Sequence, residues 1–313
     1  MSIKGNGCVD VGSEYCPCYL AEMNNCITCS RLRGEEFCDC NWSGICIYNE
    51  FYFLNNRKRE MRKHQRYEIL KRENITDSII IFTIKVPHIL ARDLKHPGSY
   101  VFIRNKNFEH YFDIPISIME VDDESDQIKI AVEVHGIKTE SIKLVDDCLL
   151  IKGPYWNALF GIKLMKKAKN INCLVIARGI AQAPAVLATD YLLKNNNRVD
   201  VIVDKGSTNT NFIKRYTKAN ILSDKLNLYK EEGQNLIKSS LESVDYSLVL
   251  ICGSNALQKE ILVHVNDYDN LNVALTNNKE MCCGEGICGA CTVYDSCGIP
   301  MRSCKTQISC ITR

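Results

Sequence analysis

A chain of 313 residues, 46% hydrophobic and 24% charged, is long enough for two or three compact units and too apolar to stay disordered. Its formal net charge of +2, without a basic stripe, argues against nucleic acid as a partner. No apolar run reaches the roughly 18 residues of a membrane span and no stretch of signal-peptide type opens the sequence, so a cytoplasmic, non-membrane protein is expected.

The 18 cysteines are unevenly placed. Eight lie between Cys8 and Cys46 and seven between Cys282 and Cys310, leaving only Cys148, Cys173 and Cys252 in the long middle. In a chain with no secretory signal this favours metal or redox chemistry over disulfides. The head contains Cys8, Cys16, Cys18, Cys26, Cys29, Cys38, Cys40 and Cys46, and no histidine precedes His64. Thiolates without imidazole point to one or two all-sulfur sites, for which zinc and an iron-sulfur cluster are both candidates. So short a segment with few aliphatic residues buries too little to fold unaided, and a ligated metal would supply the missing stability. Trp42, Tyr48, Phe51, Tyr52 and Phe53 follow, either to pack the head or to shield a cluster. The basic stretch from Asn55 to Arg66 reads as a boundary.

From 67 to 153 short apolar runs alternate with polar residues, as in YEILKR, SIIIFTIKV, SYVFIRN, QIKIAVEV and DCLLIKG, with turn signals at His96-Pro97-Gly98 and Gly153-Pro154. This spacing predicts an antiparallel barrel or sandwich. The period then changes: the strand run CLVI at 173–176, the helical APAVLATDYLL, the strand VDVIV at 199–203, a helix from about 233 and the strand SLVLI at 247–251. Strands alternating with helices predict a parallel sheet covered on both faces. The expected whole is an α+β multidomain chain, with small cysteine-rich metal modules at both ends of an antiparallel β-barrel and a parallel α/β domain. The boundaries fall at 1–60, 61–160, 161–272 and 273–313.

In the last module, Cys283, Cys288, Cys291 and Cys304 follow C-x(4)-C-x(2)-C with a distant fourth cysteine, the spacing of plant-type 2Fe-2S ligation. Gly284, Gly286 and Gly289 let the backbone curl tightly around sulfide and aim amides at it. A structural zinc site is the alternative, although zinc ribbons favour two close pairs. Cys282, Cys297 and Cys310 are surplus.

The order of motifs resembles a known family. HPGSYVFI at 96–103, DIPISI at 113–118, GIKT at 136–139, GPYWN at 153–157, RGIAQAP at 178–184 and CGS at 252–254 precede the 2Fe-2S segment. The sequence from about residue 67 is similar to the electron-transfer subunit of dihydroorotate dehydrogenase and to the small subunits of sulfide dehydrogenase and NADH-dependent ferredoxin:NADP oxidoreductase. These share the ferredoxin reductase fold. The resemblance implies FAD on the barrel, NAD(P)H on the α/β domain and a 2Fe-2S cluster passing electrons to a catalytic oxidoreductase subunit or ferredoxin-like carrier in a hetero-oligomer. By position, Pro115, Ile116 and Ser117 match the flavin motif. Val132, Glu133 and Val134 lead to the pyrophosphate turn at Gly136, Lys138 and Thr139, and Gly153 and Asn157 match a further flavin motif. Gly179, Pro184 and Gly253 match the nucleotide domain, and Cys252 would face the nicotinamide and flavin.

The departures are specific. Ile114 stands where the family's flavin arginine is expected, with Asp113 before it, and Lys138 replaces a glycine. The glycine-rich nucleotide turn keeps only Gly179, Ala183 and Pro184. They support a rival reading, a non-catalytic redox- or metal-sensing scaffold on a reductase fold. Under either reading, NAD(P)H is expected to reduce the flavin weakly.

Overall fold

A computed structural model describes residues 7–295 and 297–308. Cys310 lies outside them. The described residues form two compact units, one joining 7–63 with 279–295 and 297–308 and the other spanning 64–278. The two cysteine-rich ends, which the sequence presents as separate segments, therefore belong to one body.

In the first unit α1 (Tyr19–Glu22) and α2 (Ile47–Phe53) are short. Their Ala21, Ile47 and Phe51 pack with Leu32, Cys26 and Cys29 in a core of six buried residues. The aromatic run divides accordingly: Phe51 is inside, whereas Tyr52 and Phe53 are exposed.

In the second unit six antiparallel strands close a barrel in the order β1-β2-β5-β4-β3-β6. They are β1 (Gln65–Thr76), β2 (Ile79–Lys85), β3 (Tyr100–Asn105), β4 (Ile114–Asp122), β5 (Gln127–Glu133) and β6 (Cys148–Tyr155). Closure depends on β1, whose first residues pair with β6 and whose remainder pairs with β2. Helices α3 (His88–Leu94) and α4 (Ile137–Lys143) sit in the connections. The DIPISI segment is itself a barrel strand, since it begins β4.

The uninterrupted apolar run of β2 has a simple cause. Side chains alternate across a strand, so Ile80, Phe82 and Ile84 fill the barrel interior while Ile79 and Ile81 join the core of the α/β domain. Both faces of β2 are buried, and Thr83 is the one polar residue enclosed with them.

The α/β domain has a six-stranded sheet in the order β10-β9-β8-β11-β12-β7. Its strands are β7 (Leu159–Phe160), β8 (Asn172–Arg178), β9 (Arg198–Asp204), β10 (Asn220–Ser223), β11 (Leu248–Cys252) and β12 (Asn272–Thr276). All pairs are parallel except the short edge pair of β7 with β12. Helices α5 (Ile162–Lys167), α6 (Gln182–Lys194), α7 (Phe212–Tyr216), α8 (Glu231–Ser243) and α9 (Asn255–Val265) complete it. Val175 and Ala177 face the α6 side with Val186 and Ala188, while Leu174 and Ile176 face α8 and α9 through Ile237, Leu257 and Ile261. At the α5 start, Gly161 adopts a φ of +82°, and a Cβ there would lie 2.8 Å from the Val273 carbonyl oxygen, so both conformation and space require glycine. No described helix is long and apolar enough to cross a membrane.

Because Phe82 is fully buried inside the barrel, Phe82→Ala is expected to destabilise the second unit by about 3–5 kcal/mol. Ile89→Ala, at an exposed position, should change stability by less than about 0.5 kcal/mol. Denaturant unfolding followed by Trp156 fluorescence in a Trp42→Phe background separates the two.

Candidate functional site

The C-terminal cysteine loop is shaped by three glycines with positive φ, Gly284 (+70°), Gly286 (+77°) and Gly289 (+80°). Its four predicted ligands fall into two pairs. Cys291 and Cys304 bring their sulfurs to 3.2 Å, and Cys283 and Cys288 share a side-chain hydrogen bond. Burial raises the Cys283 thiol, but amides of Cys288, Glu285 and Ile287 outweigh it and bring the group below its ordinary value. The Glu285 N–H donates to Cys283 Sγ at 3.3 Å. In the other pair the hydrogen bond from Cys304 holds Cys291 down, and the same bond pushes Cys304 up. Two sulfur pairs with amides directed at them could hold a two-iron centre. Beyond the loop, β13 (Thr292–Tyr294) and β14 (Pro300–Arg302) form a hairpin that returns the chain to Cys304. Cys282 and Cys297 are exposed.

Within the same unit the head is tied to this loop. The Val9 N–H donates to the Lys305 carbonyl at 2.8 Å, and Cys8 bridges to Thr306 in antiparallel fashion. Beneath that bridge lies a buried charge cluster. Arg62 donates to both Asp10 oxygens at 3.1 Å and reaches Glu285 at 3.4 Å. Lys305 donates to Glu285 at 3.0 Å and also to Asp10. The Arg62 and Lys305 side chains are 0% exposed. Burial alone would discharge Lys305, yet the two carboxylates more than offset it and hold its pKa above the usual lysine value.

The predicted head ligands do not form one group. Cys16, Cys18 and Cys26 line a pocket together with Cys8. Cys38, Cys40 and Cys46 are exposed, and Cys29 is buried in the head core. The Cys38 thiol is raised chiefly by the neighbouring Cys40. Among the described residues no three His, Cys, Asp or Glu side chains converge closely enough to hold a single metal ion.

In the second unit Pro115 is exposed, and Ile116 and Ser117 are half-buried on β4. Ser117 is paired with Tyr100 on β3, whose ring stacks on Tyr155 at 5.1 Å between centroids. Val132 and Val134 are buried and Glu133 is half-buried, accepting a hydrogen bond from Ser207 and lying 3.0 Å from His135. At the turn that follows, a Cβ on Gly136 would meet open space. Thr139 Oγ1 accepts from the amides of His135 (2.9 Å) and Gly136 (3.2 Å). The charge missing at Ile114 comes from elsewhere. Arg104 lies 3.5 Å from Asp113, His64 lies 2.9 Å from it, and Lys138 donates to the Asp113 carbonyl. Arg104 is a residue that motif matching misses; only strand register, Ile103 opposite Ile114, brings it beside the motif. Gly153 is half-buried, with a prospective Cβ 2.8 Å from Val101, and Asn157 is completely buried.

Gly179, Cys252 and Gly253 come together at the carboxyl ends of β8 and β11, the adjacent strands from which the chain winds in opposite directions. Ligands of open α/β sheets bind in the crevice at such a switch point. Here the approach is occupied. Arg178 Nε donates to Asp204 at 2.8 Å and its guanidinium lies over Tyr229. Gln182, fully buried, donates to Thr208 Oγ1 and the Thr210 carbonyl at 3.1 Å and accepts the Phe212 N–H at 2.8 Å. A Cβ on Gly206 would stand 3.3 Å from Gly179 Cα, so the loop after β9 rests backbone to backbone on the glycine turn. Pro184 is buried in α6. Cys252 is wholly enclosed in the α6-side core, where burial pushes its thiol up and keeps it neutral. The Gly253 carbonyl accepts from Gln258, Thr276 and Asn278, and a Cβ there would collide with Leu257.

A closed antiparallel barrel followed by this α/β sheet is the ferredoxin reductase fold. The structure of the NADH-dependent reduced ferredoxin-NADP oxidoreductase superimposes with a TM-score of 0.62 at 19% identity, over 76% of this chain and 85% of its own. The ferredoxin NADP+ reductase of Neisseria gonorrhoeae, solved with FAD and NADP, gives 0.52 at 13% identity over 68% and 98%. In sequence the chain is a relative of the electron transfer subunits of dihydroorotate dehydrogenase B. It is 28% identical to that of Clostridium acetobutylicum over 217 residues, 67% of this chain and 81% of the relative. A probable subunit of the same kind from Archaeoglobus fulgidus is 23% identical over 71% and 88%. No family model matches. With these relatives the chain shares a redox, electron-transfer role.

Removing one member of the buried charge cluster leaves its partners uncompensated. Lys305→Met is therefore expected to destabilise the first unit by about 3–5 kcal/mol, read as a lower denaturation midpoint of Trp42 fluorescence in a Trp156→Phe background.

Proposed function

We propose that the chain is the flavin and iron-sulfur subunit of a hetero-oligomeric oxidoreductase, passing electrons between a donor and a catalytic partner subunit or ferredoxin-like carrier. The observation that carries this reading is the paired arrangement of Cys283 with Cys288 and Cys291 with Cys304 under directed amides, on a chain with the fold of flavin reductases. Bound FAD supplies the exchange of hydride pairs for single electrons. The four cysteines would hold a 2Fe-2S cluster, with Gly284, Gly286 and Gly289 keeping side chains away from it.

For FAD the residues fit. The Gly136 turn is open, and Lys138 within it provides positive charge for a pyrophosphate. Ser117 and Pro115 are at least partly accessible on β4. The nicotinamide side fits less well, because Gln182 and the loop after β9 fill the approach to Gly179. A donor other than a pyridine nucleotide is the reading that this occupancy favours, with the scaffold or sensor role as its extreme form.

Two measurements test the proposal. The purified chain should carry nearly equimolar flavin that dithionite reduces at once and stoichiometric NADH or NADPH reduces slowly or not at all; rapid bleaching by either nucleotide would refute the closed turn. Cys288→Ser should abolish the 2Fe-2S visible and EPR signals while leaving flavin content unchanged, and a preparation with no flavin would rule out the flavoprotein reading for this chain.

A further inference from the structure

We infer that the head holds a second iron-sulfur cluster, ligated by Cys8, Cys16, Cys18 and Cys26. Three observations lead there. First, these four thiols, drawn from residues 8 to 26, line one partly enclosed pocket whose apolar walls include Leu20 and Ile47. Four thiols gathered by tertiary structure at the expense of apolar packing need a ligand in common.

Second, a backbone amide is aimed at one of these sulfurs as at the C-terminal set: the Cys29 N–H donates to Cys26 Sγ at 3.3 Å, and the Glu285 N–H donates to Cys283 Sγ at the same distance. An amide so placed suits sulfur that carries negative charge.

Third, the spread of the sulfurs distinguishes a cluster from a single ion. A tetrahedral zinc with bonds of about 2.3 Å draws its sulfurs to within about 4 Å of one another. No three cysteines among the described residues converge in that way. A cluster interposes its own iron and sulfide and leaves its ligands apart around a central space, and these four cysteines line one pocket. Lys305 pairs with Asp10, two residues after Cys8, and places a buried cation beside the site. Cys38, Cys40 and Cys46 are exposed and take no part.

The assignment of the site stands on the head alone; a role for it in electron transfer rests on the function proposed above. Anaerobically prepared full-length protein should contain more than the two irons of a 2Fe-2S centre per chain, with acid-labile sulfide in equal amount. Cys291→Ser, which removes a C-terminal ligand, should retain iron, sulfide and an EPR signal after dithionite. Cys18→Ser should lose that residual signal and keep the 2Fe-2S spectrum, whereas Cys46→Ser should keep both. Two irons or fewer in the wild-type chain would overturn the inference whether or not a variant folds. Residual zinc in place of iron, or an identical iron content in Cys18→Ser and wild type, would overturn it too. Failure of the 2Fe-2S assignment is read separately, as a Cys291→Ser protein whose spectrum matches wild type.

Discussion

The first unit depends on a buried balance of two cations and two carboxylates. Asp10 and Arg62 come from the head, Glu285 and Lys305 from the C-terminal segment, and each carboxylate faces both cations. None of the four could be buried alone, since the desolvation of an unpaired ion costs several kcal/mol. Neither segment can therefore adopt this arrangement without the other. The net stabilisation from such a cluster is small, because attraction repays desolvation with little left over. What it fixes is register. Asp10 lies two residues after Cys8, Glu285 two after Cys283, and Lys305 follows Cys304 directly. Setting these charges in contact also sets the backbone that carries the cysteines, so the geometry of the sulfur ligands is decided by groups that are not ligands.

A comparable arrangement governs the nucleotide edge of the second unit. There the polar groups join loops to one another. Arg178 with Asp204, and Gln182 with the segment from Thr208 to Phe212, hold the loop after β9 against the glycine turn after β8. Glutamine at 182 is decisive because a buried amide must satisfy both its donor and its acceptor, and it does so by closing the space that a phosphate would enter. Glycine at the same place would have left the amides of the turn open. The closure of this loop is thus a local feature, compatible with the sheet and barrel beneath it.

The fold was legible because its causes are local and periodic. The alternating runs from 67 to 153, and the later strand and helix pattern, followed from which faces are buried, and even the unbroken run in β2 is explained by burial on both sides. The pairing of the four C-terminal cysteines was legible for another reason: it follows from their spacing and from the glycines between them. Three features could not be read. Arg104 restores charge near the flavin motif only through strand pairing. Lys305 and Arg62 look like ordinary surface charges in the sequence, and their burial depends on partners more than 50 positions away in Asp10 and Arg62, and more than 200 in Arg62 and Glu285. Which of the eight head cysteines share a pocket is set by tertiary contacts, such as the bridge that ties Cys8 to Thr306, and not by their spacing.

The two units hold their cysteines differently. The three of the second unit are all buried. An apolar strand end can enclose a thiol but offers it no amide, because strand amides are already paired in the sheet. Thiolate and cluster sites need backbone N–H groups with no partner of their own, and these arise in tight loops rich in glycine or at irregular turns. The first unit consists largely of such segments, with only short helices and one short hairpin among its described residues. Its scarcity of regular structure is the condition that lets its amides point at sulfur, and its charge cluster is what replaces the missing ladders in holding those segments still.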